Sequence, residues 1–128
     1  MNGRYAPFAF ALLRIISGLM FMIHGTQKIL GWPPTDMRPP LASMGGISGV
    51  LELVLGFLIA IGLLTRIAAF LASGEMAVAY FFAHFPQGWN PVVNKGELAV
   101  LYCFLFLYVA AHGAGIWSVD SMIGKRKT

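Results

Sequence analysis

Charge is scarce in this 128-residue chain. Asp, Glu, Lys and Arg together make up 11% of it, while hydrophobic residues make up 58%. An average soluble domain carries roughly 25% charged residues, so too few polar side chains are present to cover a soluble surface. Intrinsic disorder is excluded too, because it needs low hydrophobicity. Cysteine is nearly absent: Cys103 stands alone, which excludes a disulfide scaffold, a C-x-x-C redox pair and a cysteine zinc site. The excess of +4 comes from nine scattered basic residues with no basic stripe, which argues against nucleic acid as a partner. These absences leave a small integral membrane protein in contact with the lipid bilayer.

Four continuous apolar stretches are long enough to cross a bilayer, which takes about 20 residues. They cover residues 7–30, 46–64, 67–85 and 97–117. Ten-residue alternating segments, the mark of a membrane barrel, do not occur, so helices are the spanning element. The expected fold is all-α, an integral membrane four-helix bundle in a single domain over residues 1–128. The breaks between helices are Gly31-Trp32-Pro33-Pro34, the short turn Gly62–Arg66, and Pro86–Pro91. Thr65 is expected to cap helix three, and Asn94 with Glu97 has capping-box spacing for helix four. Trp32, Trp89 and Trp117 fall at span ends, where aromatic belts sit.

Four spans place both termini on one side. That side carries Arg4, Arg66, Lys125, Arg126 and Lys127, against Lys28, Arg38 and Lys95 on the other. This balance favours cytoplasmic termini in a bacterial inner membrane. Arg14 interrupts the first apolar run and Gly31-Trp32 is no small-x-small cleavage site, so a cleaved signal peptide is not expected.

Ionisable residues inside the spans are costly in lipid and usually face the bundle interior. Helix one contains Arg14, His24 and Lys28, and helix two contains Glu52. Helix three contains Glu75 and His84, and helix four Glu97 and His112. The acids lie on small-residue stripes: Gly45, Ser48, Gly49, Glu52 and Gly56 in helix two, then Ala68, Ala72, Glu75, Ala79 and Ala83 in helix three. Small residues let backbones approach closely. Alternating helix direction puts Lys28, His24, Glu52, His84 and Glu97 in the outer third of the membrane and Glu75 near the middle. Arg14 and His112 fall in the inner third.

The outer group is the expected site. Glu52 or Glu75 would pair with Lys28 or His24, and a carboxylate left without a cation can hold and exchange a proton. Glu52, Glu75 and Glu97 would exchange protons with a quinone or small polar substrate entering from the bilayer, while His24 and Lys28 orient it. Two of these groups have equally plain structural readings. Glu97 doubles as a cap, and His84, nine residues from Glu75 and so about 180° around a 3.6-residue helix, can turn to the loop or to the interface. Arg14 reads as a counter-ion or an anion contact, and His112 as a partner for a helix-end carbonyl. A metal is not expected: the Glu-x-x-His spacing of carboxylate di-iron bundles is missing, and Lys28 would repel a cation. Haem would need two histidines at one depth, and only His24 and His84 qualify.

Several separated motifs resemble one family. They are Leu13-Arg14, Ser17-Gly18 and His24-Gly25-x-x-Lys28, then Gly45-Gly46, Glu52 and Gly56, then Gly62-Leu63-Leu64-Thr65-Arg66. Next come Glu75-Met76-x-x-Ala79-Tyr80 with His84, Asn94-x-Gly96-Glu97, and Gly113-x-Gly115-x-Trp117-Ser118-x-Asp120. In this order they resemble the DoxX family across nearly the whole chain. The resemblance implies a four-helix protein of bacterial inner membranes. It also implies an association with oxidoreductase chemistry, since the family is named for a subunit of a quinol oxidase or thiosulfate:quinone oxidoreductase. With no cofactor motif of its own, the chain is expected to act as a redox-associated subunit beside an oxidoreductase partner or in a homo-oligomer, with quinone as the candidate bound molecule. A non-catalytic scaffold with structural ion pairs and a small transporter are the alternative readings.

Overall fold

In the computed structural model, residues 3–36 and 38–127 are described, and the side chains of Lys125, Arg126 and Lys127, which entered the charge balance, lie outside the described part. The described residues form helices α1 (Ala6–Leu30), α2 (Met44–Ile61), α3 (Thr65–Ala79), α4 (Glu97–His112) and α5 (Val119–Lys127). A π-helical turn, Tyr80–His84, and a 3-10 turn, Phe85–Gln87, prolong α3.

Local chemistry explains the helix ends. Pro7 sits in the first turn of α1, where its missing N–H costs nothing. Gly31 closes α1 in the left-handed conformation (φ 73°), its N–H donating to Gln27 O. Ser43 caps α2, its hydroxyl accepting the Gly46 N–H at 3.2 Å. Gly62 (φ 73°) ends α2, and the Leu63 N–H reaches back to Leu58 O at 2.9 Å, a Schellman closure.

Two capping expectations are corrected. Thr65 does not cap α3. Leu64 occupies that position with φ 51° and offers no side-chain bond, and a carboxylate from the far end of the chain takes over the role. Asp120 accepts the Leu64 and Thr65 N–H groups at 2.9 Å each. Asn94 and Glu97 do not form a capping box, since Asn94 Oδ1 accepts the Gly96 N–H and its amide points to the preceding loop.

The span boundaries also shift. α1, α2 and the continuous stretch Thr65–Gln87 are long and apolar enough to cross a membrane, whereas α4 has 16 residues. At ~1.5 Å per residue it is about 24 Å long, short of a ~30 Å hydrocarbon core. The expected fourth helix over 97–117 stops at His112 because Gly113 leaves the helical region (φ 92°, ψ −174°). The segment after it turns back under the bundle and leads into α5, which the apolar pattern had not indicated.

α1 and α2 pack backbone to backbone. A Cβ on Gly56 would stand 2.5 Å from Met22 N, and one on Gly18 would stand 2.6 Å from Ala60 N, so only glycine permits this approach. α3 and α4 pack through Ala68, Ala69 and Ala72 against Phe106 and Val109, all nearly or fully buried. Phe21 of α1 meets Phe106 and Tyr102 of α4 at ring-centroid separations of 4.9 and 5.4 Å. Outside this core the surface is apolar. Phe57, Phe70 and Phe104 are half or more exposed, as a lipid-facing belt requires. Trp32, Trp89 and Trp117 lie exposed beyond the helix ends.

Candidate functional site

The α2–α3 pair diverges from its tight turn at residues 62–64. At the other end a cavity of about 420 Å³ separates the two helices. Lys28, Ser48 and Glu75 are its polar wall, and Ile47, Leu51, Val78 and Phe82, all exposed, form much of the rest. The cavity therefore opens sideways onto the apolar surface.

Helical phase brings the polar groups together. Ser48 lies one turn before Glu52, so both side chains leave α2 on one face. Lys28, in the last turn of α1, reaches across the glycine seam beside Gly49. Its Nζ lies 2.7 Å from Glu52 Oε2 and 3.3 Å from Ser48 Oγ. Ser48 Oγ is hydrogen-bonded to Glu52 Oε2 and also to Glu75 Oε1 of α3. Glu52 is 2% exposed. Glu75 Oε2 is buried and lacks a hydrogen-bond partner among the described residues. Three helices thus share one chain of contacts, Lys28–Glu52–Ser48–Glu75, and both in-span carboxylates of α2 and α3 turn toward it.

The remaining candidates lie elsewhere. His24 faces α4, edge-on to Tyr102 at 6.2 Å, and lines a separate hollow with Gln27 and Pro33. One helical turn from Lys28 still leaves ~40° of rotation, enough to direct it across the α1–α4 side. His84 donates through Nδ1 to Asn94 O at 3.1 Å; the carbonyl can only accept, which places the proton on Nδ1. It belongs to a polar latch in which Tyr80 donates to Trp89 O, and Asn94 donates to Gly88 O at 2.7 Å and to Tyr80 Oη at 3.2 Å. Glu97 is exposed at the first turn of α4. The expected outer cluster of three carboxylates and two imidazoles is therefore smaller: two carboxylates, one ammonium and a hydroxyl.

Arg14 is fully buried at the opposite end. Its guanidinium donates to Ile59 O at 3.1 Å, to Ala114 O, to Ile116 O at 3.0 Å and to Trp117 O at 2.7 Å. Four of its five N–H donors are thus spent on backbone carbonyls. It ties the end of α2 to the returning segment, and its placement is that of a structural clamp. Beside it, Arg66 donates to Ala110 O and Ala111 O at the end of α4, where a cation complements the helix dipole. His112 stacks on Phe10 at 3.7 Å and bonds Gly113 O, the helix-end role open to it from sequence.

Burial pushes the Asp120 carboxyl up. The Thr65 and Leu64 N–H groups and the Arg14 charge pull it down further, leaving it below its ordinary 3.8. Ser48 and Asp120 are the groups that sequence reasoning left out of its site and capping assignments. The signal for Ser48 was its i, i+4 relation to Glu52 on the small-residue stripe. For Asp120, sequence held no local signal, because its partners lie 55 and 56 positions away.

The DoxX family model matches residues 9–85. A Haemophilus influenzae protein, described as uncharacterized, is 42% identical over 96% of each chain. The inner membrane protein YqjF of Escherichia coli is 29% identical over 88% of this chain and 90% of its own. The putative oxidoreductase CatD of Bacillus subtilis is 26% identical over 91% of this chain and 87% of its own. No solved structure matches the chain.

Proposed function

The chain belongs to the DoxX family of membrane proteins, and from that premise we propose that it is a redox-associated membrane subunit whose α2–α3 cavity binds a quinone or another small molecule with a polar head. Glu75, Ser48 and Lys28 engage the head, and the apolar rim receives the rest. Glu52 holds Lys28 in place. The observation that carries this reading is Glu75, which lines the cavity beside Lys28 and Ser48 and whose Oε2 is buried without a hydrogen-bond partner among the described residues, while the rest of the lining is apolar and opens toward lipid. A few convergent polar groups in an apolar hollow are the usual form of a small-molecule site, and about 420 Å³ lies within the usual ~300–1,000 Å³. The name of the Bacillus subtilis relative supports the redox association. The basic residues favour cytoplasmic termini, which puts the cavity in the outer half of the inner membrane.

Titration of a short-chain ubiquinol into the purified protein in nanodiscs tests the reading. Saturable binding in the wild type, weakened in Glu75→Leu at unchanged melting temperature, is the expected result. Equal binding by both proteins would remove Glu75 from the site.

One observation favours a second reading, a scaffold. The Lys28–Glu52–Ser48–Glu75 chain joins three helices, as an ion pair that sets helix register would. In that case Glu52 or Glu75 substitutions lower stability and abundance in the membrane with no separate change in ligand binding.

A further inference from the structure

The hydrogen bonds around Ser48 specify a proton, and the proton specifies what the cavity prefers to hold. This step rests on the reading of the cavity as a binding site for a quinone-class head. A serine hydroxyl offers one donor proton and two acceptor lone pairs. Three groups are bonded to Ser48 Oγ: Lys28 Nζ at 3.3 Å, Glu52 Oε2 and Glu75 Oε1. The ammonium can only donate, so it takes one lone pair. The single hydroxyl proton serves one carboxyl oxygen. The other carboxyl must supply its own proton to the second lone pair, since otherwise two electron-rich oxygens would face each other with nothing between them.

Lys28 decides which carboxyl that is. Its Nζ lies 2.7 Å from Glu52 Oε2, and an oxygen in such an ion pair is the stronger acceptor for the Ser48 proton. We propose that Glu75 is a neutral carboxylic acid that donates through Oε1–H to Ser48 and leaves Oε2 as a bare acceptor for the occupant, so that the cavity selects a hydroxyl-bearing head, a quinol over its quinone. Charge agrees with this count. The charged groups acting on Glu75 are Lys28 from α1 and Glu52 from α2. With Glu75 neutral the cluster sums to zero, and with Glu75 ionised it would carry a net negative charge inside the membrane. Lys28 adds the complementary half. Two of its three N–H groups go to Ser48 and Glu52, and the third remains for the cavity that it lines. A quinol hydroxyl can donate to Glu75 Oε2 and accept from Lys28. A quinone carbonyl can only accept, and leaves Oε2 unpaired.

Two measurements on the full chain in nanodiscs test the proposal. Infrared spectroscopy at neutral pH reads the carbonyl stretch of a protonated carboxyl, which shifts in D2O. The expected spectrum shows this band in the wild type and loses it in Glu75→Gln. A wild type without the band, or a band that survives in Glu75→Gln, overturns the proton assignment. The second measurement titrates a short-chain ubiquinol and its ubiquinone. The quinol is expected to bind about tenfold more tightly, the worth of one added hydrogen bond. Glu75→Leu loses that preference. Glu75→Gln keeps it, because an amide can donate to Ser48 and still present an oxygen acceptor. Equal affinities in the wild type, or a preference lost equally in Gln and Leu, overturn the selectivity. If neither molecule binds the wild type, the quinone reading falls and the selectivity with it, while the infrared band still decides the proton.

Discussion

Lys28 Nζ stands 2.7 Å from Glu52 Oε2, and the Glu52 side chain is only 3% exposed. The pair crosses the α1–α2 seam beside Gly49, where an added Cβ would stand 2.8 Å from Lys28 Cβ. Removing one member leaves the other buried without a counter-charge. Lys28→Met is expected to destabilise the protein by about 3 kcal/mol, read as a lower unfolding midpoint in detergent. Adding Glu52→Leu should recover most of that loss, because two matched apolar groups have no charge to desolvate. A double variant no more stable than Lys28→Met would show that the pair does not act as a unit.

The glycine seam makes a second expectation. In Gly56→Ala the new Cβ meets Met22 N at 2.5 Å, so α1 and α2 must separate. Overpacking of this kind costs about 1–3 kcal/mol, and the folded yield should fall. Gly74, where an added methyl group would meet nothing within 4 Å, is the control. Gly74→Ala should be neutral, or stabilising by up to about 1 kcal/mol through helix propensity. Comparable losses at both positions would refute close approach as the cause.

Asp120 predicts a pH dependence. Against the opposing effect of burial, its carboxyl is held below the ordinary 3.8 by the Thr65 and Leu64 N–H groups and by Arg14. A depressed folded-state value contributes stability above the ordinary Asp range, and that stability is lost as pH falls through the folded value. Melting temperature in detergent should therefore drop below about pH 4 in the wild type. Asp120→Asn should start lower at neutral pH, by about 1 kcal/mol for a lost cap, and show a shallower drop over the same window. Parallel pH curves for the two proteins would rule out this role.

Arg14 is expected to behave as a clamp. Arg14→Lys keeps the charge but replaces a planar fork with a point donor, leaving carbonyls among Ile59, Ala114, Ile116 and Trp117 unpaired. Each buried orphan costs about 1–3 kcal/mol. Limited proteolysis should then cut within residues 113–118, where the wild type resists, while ligand binding at the α2–α3 cavity per folded molecule stays unchanged. Loss of binding with the segment still protected would instead place Arg14 in the site.

The Glu52 and Glu75 stripes were legible because helix phase is a local property. A carboxylate among glycines or alanines every three or four residues faces a neighbour whatever the rest of the chain does. His24 was misplaced for the opposite reason, and His84 takes the loop-facing alternative that the sequence left open. A rotation of ~40° sends His24 toward Tyr102 rather than toward Glu52, and no periodicity resolves which neighbour stands there. The π-helical turn at Tyr80–His84 widens the helix under His84, and its cause is tertiary, since Tyr80 and His84 are both held by the 88–96 loop.

The sequence by itself determined that this chain is a bundle of apolar helices in a membrane, because 11% charged residues cannot cover a soluble surface and continuous apolar runs leave the helix as the spanning element. The tertiary structure decided which charges meet. Lys28, Ser48, Glu52 and Glu75 converge because the glycine seam sets how near α1 comes to α2, and the turn at residues 62–64 sets how α2 diverges from α3. Arg14 and Asp120 likewise find partners 45 to 103 and 55 to 56 positions away. Such distances are settled only when the whole chain packs, since no local pattern encodes where a remote carbonyl or amide will come to rest.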